Sequence, residues 1–87
     1  MEFRHLRYFV AVTEEGTFTR AARRLYIAQP ALSKQIHDLE ERVGAPLLVR
    51  GSRGVTLTPA GSELLGHARV LLAREAHARE SVRHLVA

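Results

Sequence analysis

The sequence predicts a mainly α fold: a winged helix-turn-helix of three helices and a two-stranded β wing, followed by a long linker or dimerisation helix. Three observations predict it. Residues 18–43 read as two short amphipathic helices joined by a tight turn. Two β-prone runs, Leu47-Leu48-Val49 and Val55-Thr56-Leu57, flank the turn signal Gly51-Ser52-Arg53-Gly54. After Thr58-Pro59, an apolar stripe recurs in steps of four and three.

The first helix fits Phe3 to about Glu15, with Phe3, Leu6, Phe9 and Val10 at helical spacing and Thr13 next in the series. Gly16 ends it, and Thr17 can cap the next helix. Phe18, Ala21, Ala22 and Leu25 line one face of that second helix. The small Ala21-Ala22 pair permits close approach of a neighbouring helix. Tyr26-Ile27-Ala28 is the turn.

The third helix runs from about Gln29 to Val43 with Leu32, Ile36, Leu39 and Val43 as its inward stripe. Pro30 is tolerated there because the first turn needs no intrahelical N–H. Gly44 ends the helix and Pro46 prevents its continuation. The domain is expected to span residues 1–58, with the helix-turn-helix at about 18–43 and the wing at about 47–57.

The last helix, residues 59–87, opens with Thr58 as cap and Pro59 at its first position. At 1.5 Å per residue it is about 42 Å long. Leu64, Ala68, Leu71, Glu75, Ala78, Val82 and Leu85 form a heptad seam interrupted at Glu75, widened by Leu65 and Leu72. A helix this long cannot bury its whole stripe on so small a domain, and a second copy is the simplest partner. Leu64, Leu65, Ala68, Leu71, Leu72, Ala78, Val82 and Leu85 are therefore the expected dimerisation residues.

Bulk composition narrows the function. With 87 residues, 46% of them hydrophobic, the chain suits one small globular unit. The net charge is +4, and residues 1–58 carry nine basic and six acidic side chains against four and three thereafter. That concentration of charge favours a polyanion partner. Cysteine is absent, which excludes disulfides and thiolate metal sites. Met1-Glu2-Phe3-Arg4-His5 lacks the order of a signal peptide, and no apolar run approaches the roughly 20 residues of a membrane span. A cytoplasmic protein is expected.

The outer face of the third helix carries the chemistry. Gln29 projects from its N-terminal end and can bond an adenine edge in bidentate fashion, while Pro30 can pack on a thymine methyl. Ser33 suits a phosphate or a base, Lys34 supplies charge, and Ala31 and His37 lie on the same side. Thr19, Arg20 and Arg23 line the outer side of the second helix, where they can hold phosphates or form a solvated basic face; Arg24 reads as the latter. Arg50 and Arg53 bracket the wing tip. Arg53 suits a narrow minor groove, and Arg50 could equally support the hairpin. The five histidines form no dense ligand cluster, and no serine shows a nucleophile constellation. Nothing suggests an enzyme or a cofactor.

These residues resemble a known family. Phe3 to Val12, Gly16-Thr17-Phe18-Thr19-Arg20-Ala21-Ala22 through Gln29-Pro30-Ala31-Leu32-Ser33, and Leu57-Thr58-Pro59-Ala60-Gly61 are similar to the N-terminal domain of LysR-type transcriptional regulators of bacteria. The resemblance implies a bacterial, cytoplasmic regulator that binds promoter DNA at an interrupted inverted repeat, dimerised through antiparallel linker helices. It also implies a C-terminal domain that senses a small-molecule inducer, with tetramers in the full-length parent. That domain would begin where this chain stops, so either an excised DNA-binding fragment or a natural short form is expected, the fragment being favoured. Two positions depart from the family: Ala28 stands where Ser is frequent, losing a helix cap worth about 1 kcal/mol, and Leu48 where Phe is common. The competing reading is a winged-helix protein-interaction module without sequence-specific DNA binding.

Overall fold

The computed structural model describes residues 1–86. Its elements run α1 (Phe3–Glu15), α2 (Phe18–Leu25), α3 (Gln29–Val43), β1 (Leu48–Gly51), β2 (Gly54–Leu57) and α4 (Pro59–Val86). The two strands form one antiparallel hairpin with Leu48 opposite Leu57 and Gly51 opposite Gly54. Ser52 and Arg53 alone make its tip. The turn glycines thus close the ladder, and Leu47 lies before it as a buried core residue.

Three helices surround the main core. Phe9, Val12, Ala21, Leu32, Ile36 and Leu39 are almost wholly buried within it. Phe3 and Val43, expected on the inward stripes, are instead 45% and 39% exposed. Both lie at helix ends, where the stripe passes beyond the facing helix. His5 is buried in their place, and its Nδ1 accepts the backbone N–H of Glu2 at 3.2 Å.

Each junction has a local cause. Gly16 adopts φ 82°, and its amide bonds Val12 O, which closes α1. The Gly16 carbonyl then accepts the N–H of Val55 at 2.9 Å, which ties β2 to the α1–α2 corner. Thr58 links three segments. Its amide donates to Leu47 O, its hydroxyl donates to Pro46 O at 2.7 Å, and its Oγ1 accepts the N–H of Gly61 at 2.9 Å. A Cβ on Gly61 would overlap the Leu47 carbonyl oxygen, so only glycine lets α4 start this close to the wing.

α4 lies first on α1 and then leaves the domain. Leu6 and Val10 pack on Ala68, with Leu64, Leu65 and Leu72 around them. The seam expected to need a partner copy is therefore divided. Ala68 is fully buried inside the chain and adds no surface to a dimer, and Leu64, Leu65 and Leu72 are half-buried within it. Leu71, Ala78, Val82 and Leu85 remain exposed, and so does every residue from Ala76 to Val86. No helix among the described residues is long and apolar enough to cross a membrane.

Candidate nucleic-acid interface

α2 begins where Thr17 caps it, its Oγ1 accepting the N–H of Arg20 at 3.1 Å. It ends after two turns because Tyr26 adopts a left-handed φ of 56°. Ile27 N–H bonds back to Ala22 O, which closes the turn and directs the chain into α3. Ala21 and Ala22 are buried, so their small side chains set the close spacing of the pair.

α3 presents an uncapped N-terminus. Ala28 provides no side-chain hydrogen bond, and Pro30 in the first turn has no N–H to satisfy. The remaining first-turn amides of Gln29 and Ala31 face outward with the positive end of the helix dipole. With Leu32, Ile36 and Leu39 buried, Gln29, Pro30, Ala31, Lys34 and His37 stand exposed on the opposite side, and Ser33 is half-buried.

The structure joins four of the expected residues into one cluster. Thr19 Oγ1 donates to Gln29 Oε1 at 3.2 Å. Arg50 Nη2 donates to Ser33 Oγ at 3.2 Å. The Arg50 guanidinium also lies 3.7 Å from the ring centroid of buried Phe18, a cation–π contact that combines attraction with stacking. Arg50 therefore fastens the wing to both α2 and α3. A shallow cavity of about 240 Å³ opens between these elements, lined by Thr19, Gln29, Arg50 and Ser52 among others.

The remaining candidates divide by their partners. Lys34 Nζ reaches Asp38 at 3.2 Å and His37 Nε2 reaches Glu41 at 3.0 Å, each pair one turn apart and exposed. A surface pair such as Lys34–Asp38 is worth about 0.3–0.5 kcal/mol, so a competing phosphate could displace it. Arg20, Arg23 and Arg53 are exposed, and no acidic side chain pairs with them among the described residues. Arg24 points away from this face. It bonds Glu14 at 2.9 Å and Glu15 at 3.3 Å, and Glu14 also meets Arg69 of α4 at 3.4 Å. Hydrogen bonding to Arg24 holds the Glu14 carboxyl below the usual range, and the glutamates in turn raise Arg24.

Sequence reasoning missed Glu40. Its Oε2 accepts the backbone amides of Leu47 at 2.7 Å and Leu48 at 3.3 Å, fixing the base of the wing to the last turn of α3. One signal was available, because an acid in a last helical turn opposes the dipole and asks for a local partner. No group of three His, Cys, Asp or Glu side chains among the described residues could hold a metal ion.

With this geometry in place, comparison with known proteins is specific. The family described as "Bacterial regulatory helix-turn-helix protein, lysR family" matches residues 3–62. The Hca operon transcriptional activator HcaR of Escherichia coli (strain K12) is 52% identical over 86 residues, covering 99% of this chain and 29% of that protein. The chain spans about a quarter of the length of the curated relatives it matches. Among solved structures, the BenM_DBD/catB site 1 DNA complex superposes with a TM-score of 0.95 at 49% identity, covering 100% of this chain and 98% of that one. The CbnR_DBD–DNA complex gives 0.94 at 40% identity, with 100% of both chains covered.

Proposed function

Because the chain belongs to the lysR family of bacterial regulatory helix-turn-helix proteins, we propose that it is the DNA-reading part of a transcription regulator and binds promoter duplex with sequence preference. One observation carries the reading. The exposed face of α3 bears Gln29, Pro30, Ser33 and Lys34 beside a wing fastened to it through Arg50. In this reading α3 enters a major groove, with Gln29 and Pro30 toward base edges. Arg20, Ala31, Ser33, Lys34 and His37 flank the backbone or the adjacent bases, with Thr19 bonded to Gln29 behind them. Arg53 reaches from the wing tip toward the minor groove. Two solved relatives of the same fold are complexes with DNA, which supports this docking over a protein-interaction role.

The reading extends to a homodimer through the exposed part of α4, with two copies on an interrupted inverted repeat. Half-sites would then lie about one helical turn apart or more. Tetramer formation and the response to a small-molecule inducer are assigned to sequence outside this chain. The site of action is the bacterial cytoplasm, at the nucleoid when bound. Selection of bound duplexes from a random library tests all of this together. A palindromic consensus with a fixed spacer is expected. Recovery of sequences with no consensus would overturn the reading in favour of the interaction module.

A further inference from the structure

We propose that Thr19 is a positioning residue for Gln29, and that its hydroxyl steadies the Gln29 amide in the orientation it presents to a base edge. The inference rests on the base-reading role of Gln29 given above. A glutamine amide has a carbonyl with two lone pairs and an NH2 with two protons. Its terminal torsion is broad and roughly two-fold, so an unrestrained amide offers its two ends in either order. Gln29 is exposed at the first residue of α3, where packing alone leaves that torsion free.

Thr19 limits that freedom, because its hydroxyl, able to donate or to accept, here donates. It stands in the first turn of α2, and its hydroxyl donates to Gln29 Oε1 across the helix-turn-helix at 3.2 Å. A β-branched side chain has few χ1 states in a helix, and this helix is held by the Thr17 cap and the buried Ala21-Ala22 pair. Oε1 is therefore turned toward α2 and Nε2 away from it. One lone pair and two N–H protons remain for DNA. That set matches an adenine edge, which offers an N6 donor and an N7 acceptor, in one order and not the reverse.

The same bond argues against Thr19 as a phosphate holder. A threonine hydroxyl has one proton, and here Gln29 takes it. What remains on Oγ1 is lone pairs, which a phosphate oxygen repels.

The test selects duplexes from a random library with the wild type and with Thr19→Val, Thr19→Ser and Gln29→Ala. A well-made bidentate contact discriminates on the order of 5- to 150-fold at its base pair. The expected result is that Gln29→Ala flattens one position of the consensus, Thr19→Val flattens that same position, and Thr19→Ser keeps it. The slope of affinity against salt should not change between Thr19→Val and wild type. If Thr19→Val leaves that position sharp, or lowers affinity equally for every sequence, the positioning role is overturned and Gln29 reads its base unaided. If Gln29→Ala flattens nothing, the base-reading role itself fails, and the proposal fails with it. Thermal melting of each variant separates these outcomes from loss of fold.

Discussion

The carboxylate of Glu40 lies 2.7 Å from the backbone amide of Leu47, and so the last turn of α3 grips the first residue ahead of the wing. A second bond to Leu48 makes the grip two-pronged. Charge-assisted bonds of this kind are worth about 1.5–3 kcal/mol, and removing the acceptor leaves partly buried N–H groups without a partner. Glu40→Ala should therefore destabilise the fold by about 2 kcal/mol, a fall of roughly 10 °C in Tm for a domain of this size. Glu40→Gln keeps an acceptor oxygen and should lose about half as much. Equal melting of Glu40→Ala and wild type would show that the wing base needs no clamp.

Base reading and charge contact separate by their salt dependence. Gln29→Ala should weaken a cognate site by about 1–3 kcal/mol while barely changing binding to random duplex. Arg53 is exposed and has no acidic partner among the described residues. If it neutralises a phosphate, Arg53→Ala should lower the slope of log K against log salt by about one unit. Titrations on both duplexes at several salt concentrations read the two effects. Equal losses on cognate and random DNA for Gln29→Ala would remove its base-reading role.

Two glycines of α4 should respond in opposite directions to alanine. Gly66 is exposed in mid-helix with open space where a Cβ would stand, so Gly66→Ala should stabilise by about 0.5–1 kcal/mol. Gly61 faces the Leu47 carbonyl at the start of the same helix, and Gly61→Ala must push α4 off the wing base. Overpacking of this kind costs about 1–3 kcal/mol. Urea denaturation of the two variants distinguishes a local steric clash from a general propensity effect.

Much of this architecture was legible in the chain because it rests on local rules. Gly16, Thr17 and Gly44 mark helix ends, Leu32, Ile36 and Leu39 mark one buried face, and the two strands flank their turn. Side-chain partners across elements were not legible. Arg50 could be placed at the wing, but its seat on Phe18 and Ser33 depends on how the hairpin folds back, which no local spacing encodes. The heptad stripe misled for a related reason. Periodicity shows that a face is apolar, not what covers it, and α1 covers Ala68 before any second copy could.

Acid should loosen the joint between α1, α2 and α4. The Glu14 carboxyl is held below its ordinary value of 4.5, chiefly by its hydrogen bond to Arg24. A folded-state pKa below the unfolded one contributes stability that is complete above the unfolded value. It is lost as pH falls through the folded value. The contribution should thus be full above about pH 5 and fade below 4.5. Both side chains are well exposed, so the effect is modest and screened by salt. Arg24→Ala should flatten this part of the acid limb in urea titrations at low ionic strength. An acid limb identical to wild type would assign it to other carboxylates.

The free half of α4 bears on the proposed dimer. From Ala76 to Val86 the helix is exposed throughout, with Val82 61% and Leu85 87% accessible. A helical segment this short is marginal in water without a packed face, and Leu71, Ala78, Val82 and Leu85 fall on one heptad seam. Val82→Glu places a charge on that seam and touches nothing in the domain core. Sedimentation should show a wild-type dimer and a variant shifted toward monomer, with loss of helical circular dichroism confined to what the free segment contributes. Leu72→Glu should behave differently, because Leu72 packs toward Leu6 and Val10. It should lower the melting temperature of the domain as well as affecting association. A wild-type chain that sediments as a monomer at high concentration, or a Val82→Glu variant that remains fully dimeric, would move the dimer contact away from this seam.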